Sequence, residues 1–150
     1  MFNNDKIKIQ ELWREEIYVR QNSITFNNGF CCLFELSQKE NKITNKKWSP
    51  IADLLADESD TCEGLATIIK TELLVDAFVE CGECLASGDD GFVAFTRKST
   101  NELVWLLVLS ETNPLESIDI KDDLIVVTSS NGTTVSIPFE RPDQLSIDWN

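Results

Sequence analysis

Leu124-Ile125-Val126-Val127-Thr128, then Ser129-Ser130-Asn131-Gly132-Thr133-Thr134, then Val135-Ser136-Ile137-Pro138-Phe139 is the clearest structural text in this 150-residue chain. Two aliphatic, β-branched runs flank Asn131-Gly132, the dipeptide that most readily takes the positive φ values of a two-residue hairpin turn. In that register Thr128 faces Val135, Val126 faces Ile137 and Leu124 faces Phe139, so one face of the hairpin is apolar and belongs in a core. The alternation continues on both sides. Ile118-Asp119-Ile120 precedes the hairpin across a Lys121-Asp122-Asp123 turn, and Leu145-Ser146-Ile147-Asp148-Trp149 follows the Pro142-Asp143 break. Short strands in series read as an antiparallel sheet.

Upstream, Phe92 to Thr96 and Leu103 to Leu109 form two more strands around the polar turn Arg97 to Glu102. The second is apolar at every position, the pattern of a central strand covered on both faces. Ile24-Thr25-Phe26 and Phe30 to Leu36 suggest another hairpin around Asn28-Gly29, pairing Phe26 with Cys31 and Ile24 with Leu33 and sending Cys31 and Cys32 to opposite faces. The middle reads as helical. Ser49-Pro50 offers an N-cap hydroxyl and a first-turn proline before Ile51, Leu54 and Leu55. Asp60 and Glu63 stand three apart like a capping box, followed by the stripe Cys62, Leu65, Ala66, Ile69 and Leu73. Residues 74–85 fit either period, with a strand from about Val75 preferred, and the first 20 residues are equally ambiguous. Lys39, Lys42, Lys46, Lys47 and Trp48 read as a solvated basic loop bearing an exposed aromatic. The expected architecture is one α+β domain over residues 1–150, with a central antiparallel sheet of about five to seven strands and two or three helices packed mainly on one face.

Charge narrows function more than any motif. The chain has 26 Asp and Glu against 13 Lys and Arg, no histidine and a formal net charge of −13. The distribution is uneven: residues 1–50 carry net +2, residues 51–100 net −8 and residues 101–150 net −7. Between Asp53 and Asp90 eleven carboxylates face the single cation Lys70. Such a field repels nucleic acid and anionic membranes and attracts a basic partner. At 42% hydrophobic residues, with eight Phe and four Trp, the acidity belongs to a folded protein. The polar N-terminus and the absence of any apolar run beyond Leu103 to Leu109 lead to the expectation of a soluble, cytoplasmic protein.

Several chemistries drop out. Without histidine there is no Ser-His or Cys-His nucleophile. Five cysteines, an odd number, suit a reducing compartment, and only Cys81-Gly82-Glu83-Cys84 has the spacing of a metal or redox pair. A structural zinc site needs four ligands, and Glu80 and Glu83 oppose the lowered thiol pKa that redox chemistry requires. Packing is the preferred role for these cysteines, and no cofactor or metal is expected. Gly88-Asp89-Asp90-Gly91 reads as a turn, since Asp and Gly suit its backbone geometry. A small carboxylate-dependent enzyme, or a metal-binding or redox protein built on Cys81 and Cys84, stand as the alternatives to a binding role.

From Gly88 onward the pattern resembles a known class. Gly88-Asp89-Asp90-Gly91-Phe92-Val93-Ala94-Phe95, Leu103-Val104-Trp105, Thr112-Asn113-Pro114-Leu115, Thr128-Ser129-Ser130-Asn131-Gly132, Ile137-Pro138-Phe139 and Pro142 are similar in order to the small immunity proteins of bacterial polymorphic and contact-dependent growth-inhibition toxin systems. The resemblance covers roughly the last 60 residues and implies a non-enzymatic function: occluding the active or substrate-binding surface of a cognate toxin C-terminal domain, often a basic nuclease. Charge density places the toxin-facing surface at Asp53, Asp57, Glu58, Asp60 and Glu63, joined by Asp89 and Asp90. Solvation of two helix faces is the competing explanation for the same residues.

Overall fold

The strand-rich text of the C-terminal third extends over most of the chain. A computed structural model describes residues 2–20, 22–37, 39–57, 60–73, 75–86, 88–112 and 114–149. It begins with helix α1 (Phe2–Arg14) and strands β1 (Ile17–Val19), β2 (Ser23–Phe26), β3 (Phe30–Ser37) and β4 (Lys42–Pro50). Helix α2 (Ile51–Leu55) follows, then β5 (Thr61–Glu63), β6 (Leu65–Glu72), β7 (Ala77–Cys84), β8 (Gly91–Arg97) and β9 (Leu103–Leu109). The last strands are β10 (Leu115–Lys121), β11 (Leu124–Ser129), β12 (Thr134–Pro138) and β13 (Ser146–Asp148), with a 3-10 turn at Pro142–Gln144.

Eleven strands form one antiparallel sheet in the order β10-β11-β12-β13-β4-β3-β2-β9-β8-β7-β6, while β1 and β5 pair separately. The sheet curls into a nearly closed barrel, bringing edge strand β10 against β6 and β7. Across that closure the Cys81 thiol donates to the Leu115 carbonyl at 3.3 Å. This corrects the expected α+β architecture of five to seven strands with two or three helices. Among the described residues only two α-helices occur, and α2 is five residues long.

The physical reasons for the difference lie in three segments. Residues 60–73 form β5 and β6, because a bulge between Thr67 and Ile69 inverts the alternation. Leu65 therefore packs outward and Ile69 inward, although four residues separate them as on a helix face. The Ser49-Pro50 start leads to a single helical turn: β4 runs through Pro50, and no side chain caps α2. The basic segment ending in Trp48 is most of strand β4 and not a loop. Residues 77–84 are a strand as preferred, and the ambiguous N-terminus is helical, its Ile9 and Leu12 buried on one face.

Both Asn-Gly hairpins are shifted by one residue. Observed pairs are Ile125 with Ile137 and Val127 with Val135, and Ile24 with Cys32 and Thr25 with Cys31. In each turn the glycine alone takes positive φ, +91° at Gly132 and +98° at Gly29, and its N–H bonds back to the residue three before it, Ser129 or Phe26. These are three-residue loops, a β-turn followed by a left-handed glycine. Slipping the register by one residue exchanges the faces. Ile125, Val127, Val135 and Ile137 are fully buried, whereas Leu124 is exposed.

Two cores result. Inside the curled sheet lie Ile24, Phe34, Val79, Val93, Trp105, Leu107 and the hairpin residues just named. On its outer face α1, α2 and β1 cover Cys31, Cys84, Phe92, Ala94, Leu106 and Val108. Strand β9 is thus buried on both sides, as its uninterrupted apolar run predicts. Each such aliphatic side chain stabilises the fold by about 1.5–3 kcal/mol on leaving water. Gln10 docks α1 by donating to the Leu103 carbonyl at 2.9 Å and accepting from its N–H at 2.8 Å.

Candidate functional site

Strands β8 and β9 pair side by side, so the loop before Gly91 and the loop after Leu109 meet at one end of the barrel. The Thr112 N–H donates to the Asp89 carbonyl at 3.1 Å, and the Ser110 N–H donates to Asn22 Oδ1 at 2.9 Å. The segment after β1 comes to the same place: the Arg20 N–H donates to the Asp60 carbonyl at 2.8 Å. Asp89, Asp90 and Glu111 consequently line a cleft of about 300 Å³ with Arg20, Asn22 and Cys62. Asp60 lines a neighbouring cleft of about 200 Å³ that shares Arg20 and Asn22.

Of the sequence-predicted residues, the structure thus gathers Asp60, Asp89 and Asp90. Asp89 is exposed and Asp60 half-buried, while Asp90 is only 7% exposed and serves the packed side of the turn. Asp53 is exposed on α2, Asp57 is exposed just beyond it, and Glu63 is exposed at the end of β5. The paired helices expected to carry this band are absent, so these carboxylates occupy a short helix, a turn and a strand end. Glu58 lies outside the described residues. Arg20 and Glu111 escaped sequence reasoning. The position of Glu111 two residues after the buried β9 run was the available signal, and its φ of +60° marks a tight turn.

The cysteine motif dissolves on strand β7. Residues three apart on a strand point to opposite faces, and Cys81 enters the inner core while Cys84 enters the outer one. All five cysteines are free thiols. Burial pushes both Cys81 and Cys84 up to about 12, with Glu80 adding to the effect at Cys81 and Asp90 at Cys84. This pair therefore presents neither a shared metal site nor a reactive thiolate. No group of three or more metal-ligating side chains occurs among the described residues.

Elsewhere, Trp48 is 49% exposed and leans on Phe26 with ring centroids 5.4 Å apart. Lys46 approaches the buried Asp143 carboxylate at 3.8 Å. Arg141 donates to both carboxylate oxygens of Asp143, at 3.1 and 3.0 Å. No helix among the described residues is long and apolar enough to cross a membrane.

No family model matches this chain, and neither a curated protein nor a solved structure shows significant similarity to it.

Proposed function

We propose that this protein is an immunity-type inhibitor that binds a cognate basic toxin domain, of nuclease type, and occludes its active or substrate-binding surface. One observation carries the proposal: a formal charge of −13, with Asp60, Asp89 and Glu111 concentrated at one end of the barrel beside Asp90. A nuclease must attract phosphates, so an acidic inhibitor uses the same field and associates at up to about 10⁸–10⁹ M⁻¹s⁻¹ at low salt. Backbone hydrogen bonds from Arg20 to Asp60 and from Thr112 to Asp89 pin the turns that carry these carboxylates, which lowers the ordering cost on binding. Asp53, Asp57 and Glu63 add exposed carboxylates to the negative field.

Co-expression with the product of the adjacent open reading frame tests the reading. Rescue of growth together with a stable complex supports it. Failure to bind or protect against that neighbour counts against it. The surface is tested by the set Asp60→Lys, Asp89→Lys and Glu111→Lys, expected to slow association at least tenfold and flatten its salt dependence. An unchanged rate and salt slope would reject this end of the barrel as the contact.

A further inference from the structure

The opposite end of strand β9 carries the reverse charge. Lys6, Gln10 and Arg14 recur at four-residue intervals and so share one face of α1. Facing them are Arg97 at the end of β8 and Asn27 and Asn28 in the β2–β3 turn, and these six side chains line a cleft of about 450 Å³. The turn is fastened to β9 by the Asn27 N–H, which donates to the Val104 carbonyl at 3.0 Å. Asn28 Oδ1 accepts from the Phe30 N–H at 3.0 Å, leaving the amide NH₂ as a donor. Glu102, exposed Ile7 and Leu103 complete the lining.

Five cations elsewhere in the chain have ion-pair partners. Lys8 pairs with Glu11, Lys98 with Glu72, Lys121 with Asp119, and Lys46 and Arg141 with Asp143. Among the described residues no carboxylate lies within ion-pair distance of Lys6, Arg14 or Arg97. Lys39, Lys42, Lys47 and Lys70 have no such pair there either, but Lys6, Arg14 and Arg97 are brought together around one cleft. Like charges held around one cleft repel, and an anion bound between them relieves the repulsion.

We propose that this cleft binds a phosphate-bearing small molecule of nucleotide size. Two guanidinium forks, an ammonium and amide donors offer more hydrogen bonds than a lone carboxylate can accept, and they match the oxygen-rich geometry of a phosphate or pyrophosphate. The volume falls in the range of small-molecule sites. Exposed Ile7 supplies an apolar surface for the remainder of the ligand, and Glu102 accepts from its hydroxyl or amino groups. The cleft lies about 20 Å along β9 from the acidic end, so it does not depend on the inhibitor reading.

Calorimetric titration of the full chain with pyrophosphate, a nucleoside monophosphate and a nucleoside diphosphate tests the site. Expected is saturable binding tighter than about 1 mM for at least one of them, weakened about tenfold or more in Arg14→Gln and in Arg97→Gln. Both residues are exposed, and circular dichroism checks that the fold is kept. Absence of saturable binding overturns the proposal. So does equal affinity for a triglutamate peptide, or equal weakening in Lys8→Gln, which removes an α1 charge outside the cleft.

Discussion

The Asp143 carboxylate is withdrawn from water yet holds its charge. Burial by itself raises its pKa, but the hydrogen bonds and charge of Arg141, a backbone hydrogen bond and the charge of Lys46 together bring it below the ordinary carboxylate value. A depressed folded-state pKa means the unfolded chain binds protons more readily. The stabilisation is therefore complete above the unfolded value of about 3.9 and is lost as pH falls through the lower folded value. Asp143→Ala is expected to lose about 1–2 kcal/mol at pH 7, discounted because Arg141 faces solvent, and the gap to wild type should close in strong acid. Urea denaturation at both pH values measures it, and a gap independent of pH would contradict the ion-pair account. The thiols give a second test. With Cys31, Cys32, Cys81 and Cys84 buried and only Cys62 partly exposed, iodoacetamide should label the native protein at one cysteine and the denatured protein at five. Rapid native labelling of Cys81 or Cys84 would mean that strand β7 opens readily.

Strand β6 explains why part of the fold was legible in the sequence and part was not. The uninterrupted apolar run of β9 and the alternating strands of the C-terminal third were readable because period and burial agreed, whereas residues 74–85 fitted both periods. The bulge at β6 breaks that agreement, since an inserted residue gives a strand the four-residue spacing of a helix. Both Asn-Gly turns hid the same kind of information, because the dipeptide does not distinguish a two-residue loop from a three-residue one, and the difference exchanges the faces of the hairpin. Of the candidate site, the acidic character was legible in composition, but the meeting of Asp60 with the Asp89 turn depends on which loops share a barrel end. Gly82 is where the bulge leaves a testable mark. A Cβ there would collide with the Ala66 carbonyl oxygen and crowd the Ile68 N–H at 2.9 Å, so only glycine lets the bulged strand lie so close. Gly82→Ala should destabilise by about 1–3 kcal/mol and raise hydrogen exchange in β6 before β8. At Gly29 the strain has a different source, a left-handed φ together with a Cβ position 2.7 Å from the Asp5 Cβ. Gly29→Ala should cost about 1–2 kcal/mol from backbone conformation alone and loosen α1, detectable as faster exchange of α1 amides.

Across the whole molecule, charge and topology act together. Net charge falls from +2 in the first third to −8 and −7 in the others, and the curled sheet folds this gradient into two poles, a cationic cleft at the start of β9 and an acidic cleft beyond its end. Excess negative charge on one compact body repels itself, and the repulsion relaxes on unfolding. Salt screens it over a Debye length of about 8 Å at physiological ionic strength. Raising sodium chloride from about 10 mM to 150 mM, which shortens the Debye length from about 30 to 8 Å, should therefore increase the urea midpoint. The same change should slow association with a basic partner, since steering depends on the unscreened field. Opposite responses of stability and association to one variable separate self-repulsion from partner attraction. A urea midpoint that falls with salt would show instead that ion pairs, and not repulsion, dominate the electrostatics of the folded chain.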